Sequence, residues 1–244
     1  MSHLVSLHNQ LHKNLRVNTA LAEAQSADLH MAPVVLSEFL KLSVQFPIAL
    51  TKNRETGRFV CVAMFGLQPG ENLFCQDNRW DSLYVPLQIS RQPFFLGADD
   101  TETDSPDSHF VVCIDTDNDS VQTAKGEPLF DETGQDSAYL TRIKSQLAAL
   151  LNGEGPTRSF VDKLIELELL QAMRLEITLA NDESLQVEGM YTINEERLGM
   201  LPEDDVIELH KLGYLAPIYT MISSLSHIYS LINKRNALQQ VGEV

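Results

Sequence analysis

The residues best equipped for chemistry lie between Gly70 and Phe95, where Glu71, Asn72, Arg79, Asp81 and Arg91 alternate with Phe74, Trp80, Tyr84 and Phe94. Carboxylate, amide and guanidinium groups set among aromatic rings are the materials of a ligand pocket: the rings supply apolar walls and a few polar groups fix orientation. Arginines at 79 and 91 could hold a ligand carboxylate through paired hydrogen bonds. The competing account is a core, with Trp80 buried and Arg79 and Asp81 satisfying local backbone.

Other constellations are less complete. Asp115-Thr116-Asp117-Asn118-Asp119 opens like a calcium loop, with alternate side-chain oxygens able to converge on a hard cation. Its sixth position is Ser120 where a tight turn wants glycine, and its twelfth is Gly126 where a bidentate glutamate is needed. His8 and His12 are four apart and could share a helical face, but two imidazoles do not make a metal site. Ser223-Ser224 with His227 offers a serine and a base without a nucleophile elbow or an oxyanion loop. No glycine pattern matches a dinucleotide or phosphate loop. Cys61, Cys75 and Cys113 stand among apolar or aromatic neighbours with no adjacent cation to lower a thiol pKa, so they read as buried thiols of a reducing compartment. The residues thus carry no complete catalytic motif and call for no cofactor or metal.

Around these groups the chain alternates helix and strand signals. Val34 to Phe46 has helical apolar spacing and ends before Pro47. Ile48 to Leu50 and the run Arg58 to Leu67 flank a charged turn at Lys52 to Gly57 and predict a hairpin of buried strands. Phe110 to Ile114 is five apolar residues before an aspartate stop, the pattern of a central strand. Ala138 to Leu151 and Arg158 to Leu170 predict two antiparallel helices separated by the breaker Asn152-Gly153-Glu154-Gly155-Pro156, with a possible subdomain boundary at 152–157. Leu175 to Leu179 and Leu185 to Tyr191 alternate as a hairpin. Pro202 with following acids, and His210-Lys211 before Gly213, bracket a helix in accord with its dipole. A last helix is expected from about Pro217 to Asn236. The expected fold is α+β, one domain over 1–244, with a central mixed or antiparallel sheet drawn from strands near 48, 60, 111, 177 and 188, flanking helices and a helical C-terminus.

Composition narrows the partners. Of 244 residues, 34 are acidic and 18 basic, a formal charge of −16 that repels nucleic acid and anionic lipid. Roughly half of the surplus is local: Asp99, Asp100, Glu102, Asp104, Asp107, Asp115, Asp117 and Asp119 lie in a stretch with no Lys or Arg, where a loop is expected. No apolar run approaches the roughly 20 residues of a bilayer span, and the first residues lack a secretory signal pattern. The expectation is a cytoplasmic protein with no membrane span.

Several clusters, in order, resemble the SapC family of bacterial proteins: His12 to Val17, Glu38-Phe39, Phe46-Pro47-Ile48, and most densely Gly66-Leu67-Gln68-Pro69-Gly70-Glu71-Asn72-Leu73-Phe74. Arg79-Trp80-Asp81, Tyr84-Val85-Pro86 and Arg91-Gln92-Pro93-Phe94 follow, then Pro128 to Asp131, Gly189-Met190-Tyr191 and Leu209 to Leu215 with Ser223-Ser224-Leu225. The family pattern usually has two basic residues, an aromatic and a proline where this chain has Ser90-Arg91-Gln92-Pro93, so one cation and one ring are missing from any anion clamp there. The resemblance implies a link, through the family's name, to surface-layer protein secretion, and brings no reaction or cofactor with it. Residues and resemblance together suggest a non-enzymatic accessory protein that recognises a protein or peptide through the Gly70–Phe95 segment. The alternative is an enzyme, or an enzyme's partner, handling a small carboxylate with Glu71, Arg79 and Arg91.

Overall fold

The computed structural model describes residues 3–76, 79–98 and 110–241. The acidic run from Asp99 to Asp107 lies outside the described residues. Among the described residues the larger sheet has five strands, β3 (Met31–Pro33), β4 (Ile48–Lys52), β5 (Phe59–Met64), β12 (Leu170–Thr178) and β13 (Ser184–Ile193), in the order β12-β13-β4-β5-β3 and antiparallel throughout. The β4–β5 hairpin forms because a continuous apolar run on each side of a polar turn can be buried on both faces. Ile48, Ala49, Leu50 and Ala63 have no exposed surface.

A second sheet has β9 (Phe110–Asp115) between β1 (Leu4–Ser6) and β8 (Phe94–Ala98). Two smaller pairings complete the strands: β2 (Arg16–Val17) lies between β10 (Val121–Gln122) and β11 (Glu127–Pro128), and β6 (Cys75–Gln76) pairs with β7 (Arg79–Trp80). Phe110 to Ile114 is therefore a central strand, as its pattern suggests, but of this second sheet. The expectation of one sheet containing strands near 48, 60, 111, 177 and 188 is corrected on that point, because an apolar run specifies burial without specifying which neighbours supply it.

The helices are α1 (Thr19–Ala24), α2 (Phe39–Leu42, preceded by a 3₁₀ turn Leu36–Glu38), α3 (Leu87–Ser90), α4 (Ala138–Glu166), α5 (Glu195–Gly199), α6 (Glu203–Lys211), α7 (Leu215–Ser224) and α8 (Ile228–Val241). Helices combined with antiparallel sheets, and a helical C-terminus, make the fold α+β. The two helices expected at 138–151 and 158–170 are a single one: α4 runs 29 residues with Pro156 inside it. Ser137 starts it, its hydroxyl accepting from the Leu140 amide at 3.1 Å. Pro156 provides no N–H for the Asn152 carbonyl a turn before it, and next to this gap the Thr157 hydroxyl donates to the Gly153 carbonyl at 2.6 Å.

That helix joins two cores. Its first half gives Tyr139, Leu140, Ile143 and Leu147 to a cluster with Phe94, Ile114 and Leu129 beneath the second sheet. Its second half gives Phe160, Val161 and Leu164 to the larger cluster around β4 and β5. The segment that reads as a breaker is where the helix passes from one core to the other. Tertiary contacts on both sides outweigh the local cost of Gly and Pro, each of which taxes an isolated helix by about 1 to 3 kcal/mol.

The C-terminal helix expected from Pro217 is α7 and α8 with a 3₁₀ turn, Leu225–His227, between them. Ile218, Met221 and Leu231 enter the larger core without exposed surface. The sequence counts no span; Leu215–Gln239 is long enough, and over its best 18-residue window, with a mean hydropathy of 1.2, apolar enough, to cross a membrane by length and composition alone. It is one such stretch among the described residues, not the several that a multi-span permease needs.

Candidate functional site

The densest motif builds a turn against the larger sheet. At Gly66 a Cβ would lie 2.4 Å from the Glu71 carbonyl oxygen, so only glycine lets the loop close on itself. Glu71, 8% exposed, then closes it from the other side: its carboxylate accepts from the Leu67 amide at 2.8 Å and from the Arg235 guanidinium of α8 at 2.5 Å. His30 lies near this carboxylate; burial lowers its pKa, and Glu71 opposes that shift. Asn72, also buried, donates to the Ser26 carbonyl at 2.9 Å and accepts from the Phe74 amide at 3.0 Å.

Phe74 and Trp80 stack with ring centroids 6.5 Å apart and an interplanar angle of 15°, and Phe46 and Phe65 meet them edge-on or tilted. The indole N–H donates to the Ser26 hydroxyl at 2.7 Å. Phe74 is fully inside, whereas Trp80 is half-buried. The Lys234 ammonium sits 4.7 Å from the Phe74 ring centroid and 3.5 Å from Asp81. Arg79 and Asp81 face solvent.

Tyr84 is tied to a residue that the sequence analysis left unassigned. Glu38 is 1% exposed and its carboxylate accepts from the Leu87 amide at 2.8 Å, the Tyr84 hydroxyl at 3.1 Å and the Val35 amide at 3.3 Å. Burial raises the pKa of Glu38 despite those three bonds and nearby Lys41. Burial, then the neighbouring carboxylate, raises that of Tyr84. A lone acid in the apolar run Val34–Phe46 was the available signal, since a charge inside an apolar stripe needs a buried partner set.

Arg91 and Phe94 belong elsewhere. The Arg91 guanidinium donates to Gln88 at 2.7 Å and to the Phe94 carbonyl at 2.5 Å, and lies 4.6 Å from the Phe95 ring centroid. Burial lowers its pKa. Phe94 is enclosed in the second core against Tyr139. The segment from 70 to 95 therefore divides three ways: Glu71, Asn72, Phe74, Trp80 and Asp81 gather beside α8, Tyr84 joins Glu38, and Arg91 with Phe94 anchors the second sheet.

The remaining constellations have structural partners. Asp115 ends β9 and accepts from the amides of His3 at 2.9 Å and Asp117 at 3.2 Å, while Asn118 accepts from the Ser120 hydroxyl at 2.6 Å. His12 accepts from the His8 amide through Nδ1 at 2.9 Å. Ser224 brackets β4 and α7, accepting from the Ile48 amide at 2.9 Å and donating to the Met221 carbonyl at 2.7 Å. Nε2 of His227 contacts the Ser43 carbonyl at 2.8 Å. Cys61 is buried, and that burial pushes its thiol up to about 12; Cys75 and Cys113 are half-buried, a correction to the expectation of three enclosed thiols. Among the described residues no group of three or more His, Cys, Asp or Glu is placed to hold a metal ion.

Solvent reaches into three notable clefts. The largest, about 800 Å³, lies between the β4–β5 hairpin and α4. One of about 370 Å³, bounded by Ser26, Met31, Gln88 and Arg91, and another of about 240 Å³, bounded by Glu23, Gln92, Arg142 and Gln146, flank α3. Of the nine residues singled out in the sequence, Arg91 alone lines one of the three.

An apolar surface adjoins the 79–84 segment. Leu83 is 80% exposed, Leu40 74% and Val44 55%. They are linked: the Leu83 amide donates to Gln45, next to Val44, at 2.5 Å, and the Lys41 ammonium beside Leu40 lies 5.4 Å from the Tyr84 ring centroid.

Neither the curated proteins nor the solved structures contain a match to this chain. The family model described as SapC matches residues 7–231, which takes in both cores, the Gly66–Asn72 turn and the helices through α7 and the first turn of α8. Matched over nearly its whole length, the chain belongs to the SapC family.

Proposed function

We propose that this chain is a non-catalytic accessory protein that binds a protein partner through the surface formed by Leu40, Val44 and Leu83 with the half-buried rings of Trp80 and Tyr84. The observation that carries the reading is the exposure of three large aliphatic side chains on two segments joined by the Leu83–Gln45 hydrogen bond, a concentration of apolar surface that soluble proteins ordinarily avoid unless something covers it. Aromatic and aliphatic anchors inside a polar rim are the anatomy of a recognition surface. The rim here is net cationic, with Lys41, Arg79 and Lys234 around the rings against Asp81, in a chain whose overall charge is −16. An apolar partner segment flanked by acidic residues fits that arrangement. Beneath the rings, Glu71, Asn72 and Phe74 hold the segment in place, while Phe94 belongs to the second core.

On the family's name, the partner is a surface-layer or other envelope protein met in the cytoplasm before export. The test is affinity capture from the source bacterium with the intact chain and with the Leu40→Asp/Leu83→Asp variant. The intact chain should retain a defined envelope protein and the variant should lose it at unchanged thermal stability. Recovery of the same proteins by both would refute the surface.

A second reading rests on Arg91, whose half-buried guanidinium lines the cleft of about 370 Å³ with Gln25, Ser26 and Gln88. A small carboxylate bound there, as substrate or effector, would give a thermal shift abolished by Arg91→Ala; Glu71 and Arg79 have their own contacts elsewhere and would not share it.

A further inference from the structure

The largest cleft stands apart from the surface just described and has a construction of its own. Its floor is apolar: Val34, Val35, Leu150 and Val161 are buried beneath it, and Phe59 and Val60 are partly open to it. Its two sides meet where α4 crosses the chain after β3, the Leu36 amide donating to the Thr157 hydroxyl at 3.0 Å. At about 800 Å³ it falls within the roughly 300–1,000 Å³ of small-molecule pockets.

The walls differ in charge. On α4 the ridge Glu154, Arg158, Asp162 is spaced four apart, so the guanidinium has an acid one turn before it and another one turn after. With two acids to one base, that wall is net negative. The hairpin wall is net positive: Lys52, Arg54 and Arg58 stand against Glu55 alone between Thr51 and Phe59. Lys52 is spent on the rings of Phe59 and Tyr191, at 4.9 and 5.4 Å from their centroids. Arg58 lines the cleft, faces solvent and, among the described residues, is in no ion pair.

We propose that this cleft binds a small molecule with an apolar body and one carboxylate, the body lying on the valine floor and the carboxylate on Arg58. A flat monoanion suits the guanidinium fork, and a more highly charged head would meet Glu154 and Asp162 across the cleft. The apolar body is required because Val34, Val35, Leu150 and Val161 make the floor, and the polar side chains at its margin are already engaged: Thr157 with Leu36 and Gly153, Asn53 with Glu55 and Thr56, and Gln88 with Arg91. Two sources share this chemistry, an aliphatic acid and the C-terminal residue of an apolar peptide.

Calorimetric titration separates them, using decanoate below its micelle concentration, decanol, and an apolar tetrapeptide with a free or an amidated C-terminus. Saturable binding is expected from decanoate, the free-acid peptide or both, at least tenfold weaker for the matching neutral compound. Arg58→Gln should weaken the acid at least tenfold, and Arg54→Gln, on the same hairpin but outside the cleft lining, should not. The Leu40→Asp/Leu83→Asp variant should bind as the intact chain does, so failure here is distinguishable from failure of the partner surface. No saturable binding of either acid, equal affinity for acid and neutral compound, or indifference to Arg58→Gln at unchanged thermal stability would overturn the proposal.

Discussion

Gly153 of α4 lies so close to Val35 that a Cβ on the glycine would sit 2.7 Å from the valine Cβ. The helix and the strand-to-helix connection touch backbone to side chain there, and the Thr157 bond to Leu36 fixes the same contact one turn later. Two glycines separated by a single residue thus have opposite meanings. Gly153→Ala should cost about 1–3 kcal/mol through overpacking. Gly155→Ala, with nothing within 4 Å of its Cβ, should stabilise by up to about 1 kcal/mol through helix propensity. Urea midpoints of the two variants check this; a common sign would contradict the close contact.

Glu38 makes a prediction about pH. Burial raises its pKa, so the folded state holds that proton more tightly than the unfolded chain, and its contribution to stability is full below the ordinary carboxylate value and falls as pH rises through the raised one. Gln at this position has no charge to desolvate. The deficit of Glu38→Gln relative to the parent should therefore be larger at pH 4 than at pH 7, measured as the difference in unfolding free energy at each pH. A deficit that grows with pH would reverse the assignment.

The pair Glu71–Arg235 spans 164 positions and ties the Gly66–Asn72 turn to α8. Removing the guanidinium strands a carboxylate that is 8% exposed, so Arg235→Gln should cost about 3 kcal/mol, while Lys234→Gln, whose partner Asp81 is solvent-exposed, should cost under about 1 kcal/mol. Thermal unfolding of the two variants decides between them.

Trp80→Phe keeps a ring in the cluster and deletes the hydrogen bond to Ser26. A loss of about 1–2 kcal/mol is expected, and the same loss from Ser26→Ala, with the double variant little worse than either alone. Additive losses would mean that the bond contributes nothing between them.

Local structure was largely legible. The β4–β5 hairpin, the 170–193 hairpin, the α6 helix with its acidic first turn and basic last turn, and the α+β class all follow from apolar periodicity and capping residues that act over a few positions. The candidate site was legible as a segment and not as a site: Trp80 and Phe74 are neighbours in space as the ring-rich run suggests, but Phe94 is in the other core and Glu38, Ser26 and Arg235 arrive from 46 to 164 positions away. No periodicity encodes such partners. The breaker at 152–156 misled for the same reason, since propensity speaks for an isolated helix and two cores speak for this one.

What the amino-acid order determined by itself is the two hairpins of the larger sheet, the α6 helix, the acidic balance and the family, each of which depends on neighbouring residues or on composition. What only the tertiary structure decided is where charge and apolar surface meet. Glu71 finds Arg235, the Phe110 strand joins the second sheet, α4 stays whole through Gly153 and Pro156, and the hairpin with Arg58 overhangs a valine floor. Those outcomes turn on burial, which a residue acquires from whatever the rest of the chain brings against it.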